Sequence, residues 1–72
     1  MAKHSIELTA GQRLKVALLQ RNFTQREAAA TLDITEAHMS SIIRGTESPG
    51  LSLAVRIEDA FGIPARDFAQ VV

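Results

Sequence analysis

Apolar residues recur along this chain at helical spacing, in short blocks that open with a polar capping residue. Leu14, Ala17 and Leu18 share one face of a first helix predicted over Ala10–Arg21. Thr9 and Gln12 form the capping pair that starts it. Val16 and Leu19 point elsewhere, either to pack on a preceding arm or to form an interface. Asn22 and Phe23 interrupt the pattern. Thr24 and Glu27 then make a second capping box, opening a helix over Gln25–Leu32. Asp33 and Ile34 are too few for more than a turn. Thr35 caps a third helix, Glu36–Arg44, and Gly45 stands where a helix end takes a left-handed residue. The stretch Thr46–Gly50, with Pro49, is a loop. A fourth helix runs over Leu51–Phe61 and stops at Gly62. Pro64 starts a last turn or short helix through Ala69.

The expected fold is therefore all-α, a compact five-helix bundle with a helix-turn-helix. Residues 1–8 read as an N-terminal arm, in which Ile6 and Leu8 alternate with polar neighbours. Residues 9–72 read as the helical domain. The expected core is Leu14, Leu18, Phe23, Leu32, Met39, Ile42, Ile43, Leu51, Ile57, Phe61, Ile63 and Phe68. Where the second and third helices meet, only about three residues join them, so the third helix leaves at a steep angle. Small side chains at Ala28, Ala29 and Ala30 would permit a close crossing, with Ala29 nearest. Leu32, Ile34 and Met39 would fill the corner. Asp33 is expected to take a left-handed backbone, which Asp tolerates.

Composition narrows the function. The chain has 72 residues, no Cys, and two His far apart in sequence, so no disulfide framework or Cys-based zinc site is available. No metal or cofactor is expected. No apolar run reaches the length of a membrane span, so the expected compartment is the cytoplasm and no membrane partner is expected. An enzyme is not expected: there is no paired base and nucleophile and no phosphate loop. Eight Lys and Arg balance eight Asp and Glu. A nucleic-acid binder usually carries a basic excess, so any such function must come from arrangement.

Several residues together resemble the Xre/Cro/lambda-repressor type of helix-turn-helix. They are Thr24-Gln25, Ala29, Leu32, Ile34-Thr35, Met39-Ser40 and Arg44-Gly45, with Leu14 upstream and Pro49, Ile57, Ala60, Phe61-Gly62-Ile63 and Phe68 downstream. The similarity spans about residues 9–68. A narrower resemblance, to antitoxins of the HigA/VapI group, is carried by Leu8-Thr9-Ala10-Gly11, by Ile42-Ile43 with Gly45, by Arg56-Ile57-Glu58, and by Phe61 to Ala65. Those antitoxins repress their own operons and neutralise a toxin. Many Xre-type domains pair an Arg in the first helix with a Glu in the third. Leu18 and Ile43 stand there instead, and a direct contact between them is expected. An apolar replacement of a buried ion pair is often neutral or stabilising.

The resemblance implies a sequence-specific transcriptional regulator, a repressor in bacteria or phage, whose partner is double-stranded DNA. A repressor is the expected kind, because no effector or catalytic region is expected within these 72 residues. It also implies a homodimer, and in the antitoxin reading a toxin protein. The third helix would enter the major groove, with Thr35, Glu36, Ala37 and Ser41 facing base edges. Gln25, His38 and Arg44 would contact phosphate, with Arg21, Arg26 and Thr46 as weaker contacts. Each has a plainer alternative. Glu36 suits the first turn of any exposed helix, and Arg44 complements a helix C-terminus. His38 can be a solvated surface residue, and Ser40 a small packing residue. Arg13, Lys15, Arg56 and Arg66 read as solvated faces. Glu36 and Glu47 set negative charge near the proposed DNA surface. Phe68, Val71 and Val72 leave apolar groups at the C-terminus that either pair two copies or fold back on the core.

Overall fold

The computed structural model describes residues 8–69. Most of the predicted arm, and Val71 and Val72, lie outside the described residues. Four α-helices follow in order: α1 Ala10–Gln20, α2 Gln25–Leu32, α3 Glu36–Arg44 and α4 Leu51–Phe61, with a closing 3-10 turn at Ala65–Phe68. The first helix ends one residue before the predicted boundary, because Arg21 already leaves helical geometry as its cap. The last element is a single tight turn within the predicted turn or short helix, so the described residues hold four α-helices and one 3-10 turn.

The capping residues set these boundaries. Thr9 Oγ1 accepts from the amide of Gln12 at 3.0 Å, and Gln12 Oε1 accepts from the amide of Thr9 at 2.8 Å. Thr24 and Glu27 repeat the exchange at 3.0 and 2.9 Å. Thr35 Oγ1 accepts from the amide of His38 at 3.0 Å. Each such cap stabilises its helix by about 1 kcal/mol. Asp33 ends α2 in the left-handed region at φ 60°, and Gly45 ends α3 at φ 84°.

The helices close on one apolar core that contains Leu14, Leu18, Leu32, Met39, Ile42 and Ile57, all nearly or fully buried. No polar or charged side chain among the described residues is buried. Leu18 and Ile43 both lie in this core, consistent with an apolar substitute for an ion pair. Phe23 is only half-buried; its ring packs edge-on to Phe61, with centroids 5.5 Å apart.

Besides Phe23, two further expectations are corrected. Leu51 is 79% exposed. The buried stripe of α4 runs through Leu53, Ala54, Ile57 and Phe61, and at about 100° per residue Leu51 falls outside it, on its flank. Ala30 is exposed, so the close approach of α2 belongs to Ala28 and Ala29, both buried. Ile34 half-covers the corner beside buried Leu32 and Met39.

The position of α3 depends on a contact absent from the expected core. Gly11, in the first turn of α1, faces the end of α3. A Cβ at Gly11 would lie 2.5 Å from the carbonyl oxygen of Ile43 and 2.6 Å from that of Ile42. Only a residue without a side chain lets the two backbones meet so closely.

Candidate nucleic-acid interface

The third helix divides into two faces. Met39, Ile42 and Ile43 are buried. At 100° per residue, Ala37, Ser41 and Arg44 (spaced i, i+4, i+7) form the stripe opposite them. Ala37 and Arg44 are exposed and Ser41 is half-buried. Glu36 is exposed on one flank of the stripe, while His38, on the other, is half-buried. Thr35 is exposed too, but its hydroxyl accepts from the His38 amide. The arrangement therefore joins Ala37, Ser41 and Arg44, and sets Thr35 and Glu36 at the leading edge.

The end of α3 is ordered by its own side chains. Arg44 Nη1 donates to Ser40 Oγ at 2.5 Å. The Ser41 carbonyl accepts from the amides of Thr46 and Glu47 at 3.0 and 3.3 Å, and from the Thr46 hydroxyl at 3.3 Å. Ser40 thus orients Arg44, a role that its size alone does not announce. Thr46 is turned back onto α3. His38 Nδ1 stands 3.5 Å from Glu47 Oε1, an ion pair whenever the imidazole is protonated. Its Nε2 is buried with no hydrogen-bond partner. His38 is therefore packed against the loop after α3 rather than freely solvated, and it draws Glu47 to itself.

Gln25 and Arg26 open α2. Thr24 satisfies the amide of Glu27. The amides of Gln25 and Arg26 remain without an acceptor inside the helix, as first-turn amides do. Gln25 is half-buried and Arg26 exposed. Such an end, with amides directed outward and a favourable dipole, suits a phosphate oxygen.

Three arginines are engaged within the fold. Arg13 Nη2 pairs with Asp67 Oδ2 at 2.7 Å, tying α1 to the closing turn. Arg21 Nη1 donates to the carbonyl of Ala60. Its guanidinium lies 5.7 Å from the centroid of Phe61, within cation–π range. Arg56 Nη1 donates to the carbonyl of Leu32 at 2.9 Å. Arg13 and Arg56 are thus tertiary contacts, not the solvated faces that their sequence neighbourhoods suggest. Arg21 has a partner within the fold, which competes with the phosphate role. The neutral charge balance therefore understates how few cations are left to face a polyanion.

Residues 14–68 match the helix-turn-helix family model. The chain belongs to the helix-turn-helix family, in its Xre/lambda-repressor-type branch. No curated protein and no solved structure matches it. The family binds DNA and regulates transcription. In this helix-turn-helix domain the match begins at Leu14 and so leaves out Gly11, although Gly11 seats α3. It includes Arg56, whose bond to the Leu32 carbonyl lies within the matched residues. Among the described residues, no helix is long and apolar enough to cross a membrane.

Proposed function

We propose that this domain is a sequence-specific repressor that binds operator DNA as a two-fold dimer, with α3 in the major groove. The reading is carried by one observation: the leading edge and outer stripe of α3 are open while its inner face is locked in the core. Ala37 would touch a thymine methyl, Ser41 would bond a base edge, and Glu36 would accept from a cytosine amino group. Thr35 would flank them. Gln25, Arg26 and Arg44 would hold phosphates and set the register. His38 and Thr46 would contribute from the loop side only on releasing Glu47 and the Ser41 carbonyl, and Arg21 only on releasing Ala60. The operator-bound protein would lie on the nucleoid in the cytoplasm.

Selection of bound sequences from a random DNA pool tests this reading. The expected product is a palindrome with half-sites about 34 Å apart, one helical turn or a multiple of it. Recovery of no common sequence would defeat it. With so few uncommitted cations, the salt dependence should be shallow. For the dimer, a slope above about 14, equivalent to eight phosphates per monomer, would contradict the contact set. Sedimentation showing only monomer at high concentration would defeat dimerisation of the free protein.

A second reading, an antitoxin that binds a toxin protein and represses its own operon, has separate support. Leu19 is 65% exposed. It borders a groove of about 240 Å³ shared with Lys15, Leu18, Phe23 and Gln25. An apolar edge of this kind suits a protein partner more than DNA. A toxin-like reading frame beside the gene, and co-purification of its product with this domain, would favour this reading.

A further inference from the structure

We propose that Arg56, on α4, is a positioning residue for DNA recognition. By holding the carbonyl of Leu32 it fixes the hinge peptide between α2 and α3, and so the angle at which α3 meets the groove. The consequence for DNA rests on the binding function proposed above; the clamp itself does not.

Leu32 is the last residue of α2 and is buried. The next residue, Asp33, takes φ 60° and ψ 45°, where the chain turns toward α3. The peptide joining them is therefore the hinge of the motif. Neighbouring groups of the turn are already paired: the amide of Asp33 donates to Ala30 O at 3.2 Å, and that of Ile34 to Ala29 O at 2.9 Å. The Leu32 carbonyl is held from outside the motif, by Arg56 Nη1 at 2.9 Å across 24 residues of chain. A bond from a guanidinium is roughly twice as strong as a neutral one. It also brings positive charge to the C-terminal end of α2, whose last turn contains no basic residue.

The base of this clamp is rigid. Arg56 lies between Ala54 and Ile57, both buried in the core. The guanidinium therefore reaches the hinge from a fixed platform. Displacing the hinge peptide would swing the whole of α3, because Asp33, Ile34 and Thr35 alone separate it from α2.

The test compares Arg56→Met and Arg56→Lys with Arg13→Met in the full chain. Arg13→Met removes another tertiary arginine contact, the pair with Asp67, away from the hinge. Two readouts are taken below the melting midpoint of each variant. The first, on free protein, is amide exchange at Asp33 and Ile34 together with residual dipolar couplings across α2 and α3. Arg56→Met should speed that exchange about tenfold relative to core amides and alter the couplings, while Arg13→Met leaves both unchanged. The second is affinity for the duplex selected by the unaltered protein, against a scrambled duplex of equal length. Arg56→Met should lose about tenfold in specific affinity. It should lose less than threefold on the scrambled duplex, at about one phosphate's worth of charge. Arg56→Lys should recover part of the specific loss.

Unchanged exchange and couplings in Arg56→Met would overturn the clamp. A loosened hinge with specific affinity retained would overturn the positioning role. Equal losses on both duplexes would reduce Arg56 to a phosphate contact and overturn it as well. If the unaltered protein selects no sequence, the recognition role falls with the DNA-binding function, and the first readout still decides the clamp.

Discussion

At its start, α3 shows Glu36 and Ala37 exposed behind a single threonine cap. At its end, the carbonyls of Ile42 and Ile43 lie under Gly11, Gly45 turns the chain back, and Arg44 is tethered to Ser40. One end is open and the other is held by a neighbouring helix. A helix that presents side chains in a fixed orientation is served by this asymmetry, because a side chain spent on holding the helix is not free to face outward. The arginines show the same division. Those at positions 13, 21 and 56 make contacts within the scaffold, Arg26 is exposed at the start of α2, and Arg44 is exposed on the outer stripe of α3 although tethered to Ser40.

The strongest way to break this contrast is at the held end. Gly11→Ala places a methyl against two backbone carbonyls that cannot rotate away. It should cost about 1–3 kcal/mol, as overpacking does. It should also displace α3, seen as a lowered melting midpoint with reduced affinity for selected DNA even when fully folded. A melting curve superimposable on that of the unaltered protein would mean that α1 does not seat α3.

A change at the open end should behave in the opposite way. Glu36→Ala should leave unfolding free energy within about 0.5 kcal/mol, as for other exposed positions. If Glu36 reads a base, discrimination at one operator position should fall by about 1–3 kcal/mol in competition binding. Discrimination retained at every position would reduce Glu36 to first-turn helix chemistry.

Thr35→Ala lies between the two behaviours. Loss of the bond to the His38 amide should cost about 1 kcal/mol in chemical denaturation. Because the cap belongs to the leading edge, fraying there should weaken specific DNA binding more than nonspecific binding. Asp33→Gly should produce the smallest effect, a gain of about 0.5 kcal/mol, since glycine takes the left-handed backbone at lower cost. The hinge peptide remains, so Arg56 should still hold Leu32. A destabilised Asp33→Gly protein would point instead to a role for the Asp33 side chain in the turn.

Much of the fold was legible along the chain because caps act within a few residues. Thr9, Thr24 and Thr35 each sit next to the helix they start, and Asp33, Gly45 and Gly62 each sit at an end. Leu51 shows where that local reading fails. An apolar residue at the first position of a helix can face either way, and only the phase set by Leu53 and Ile57 against the other helices turned it outward. The candidate site was legible in the same measure. The outer stripe of α3 follows from its periodicity, whereas the tether between Ser40 and Arg44 and the turning of His38 toward Glu47 do not.

The sequence by itself determined the places of the four α-helices, three of them opened by threonine caps, the short left-handed turn between the second and third, and the family to which they belong. These depend on backbone propensity and on partners three or four positions away. The tertiary structure alone decided which charges are available. Arg13 meets Asp67 across 54 residues and Arg56 meets Leu32 across 24. A guanidinium near such a partner leaves no periodic trace, because its energy depends on where another helix happens to end. The seat of α3 against Gly11 is of the same kind: one missing methyl matters only once two distant backbones are brought within 3 Å of where it would be.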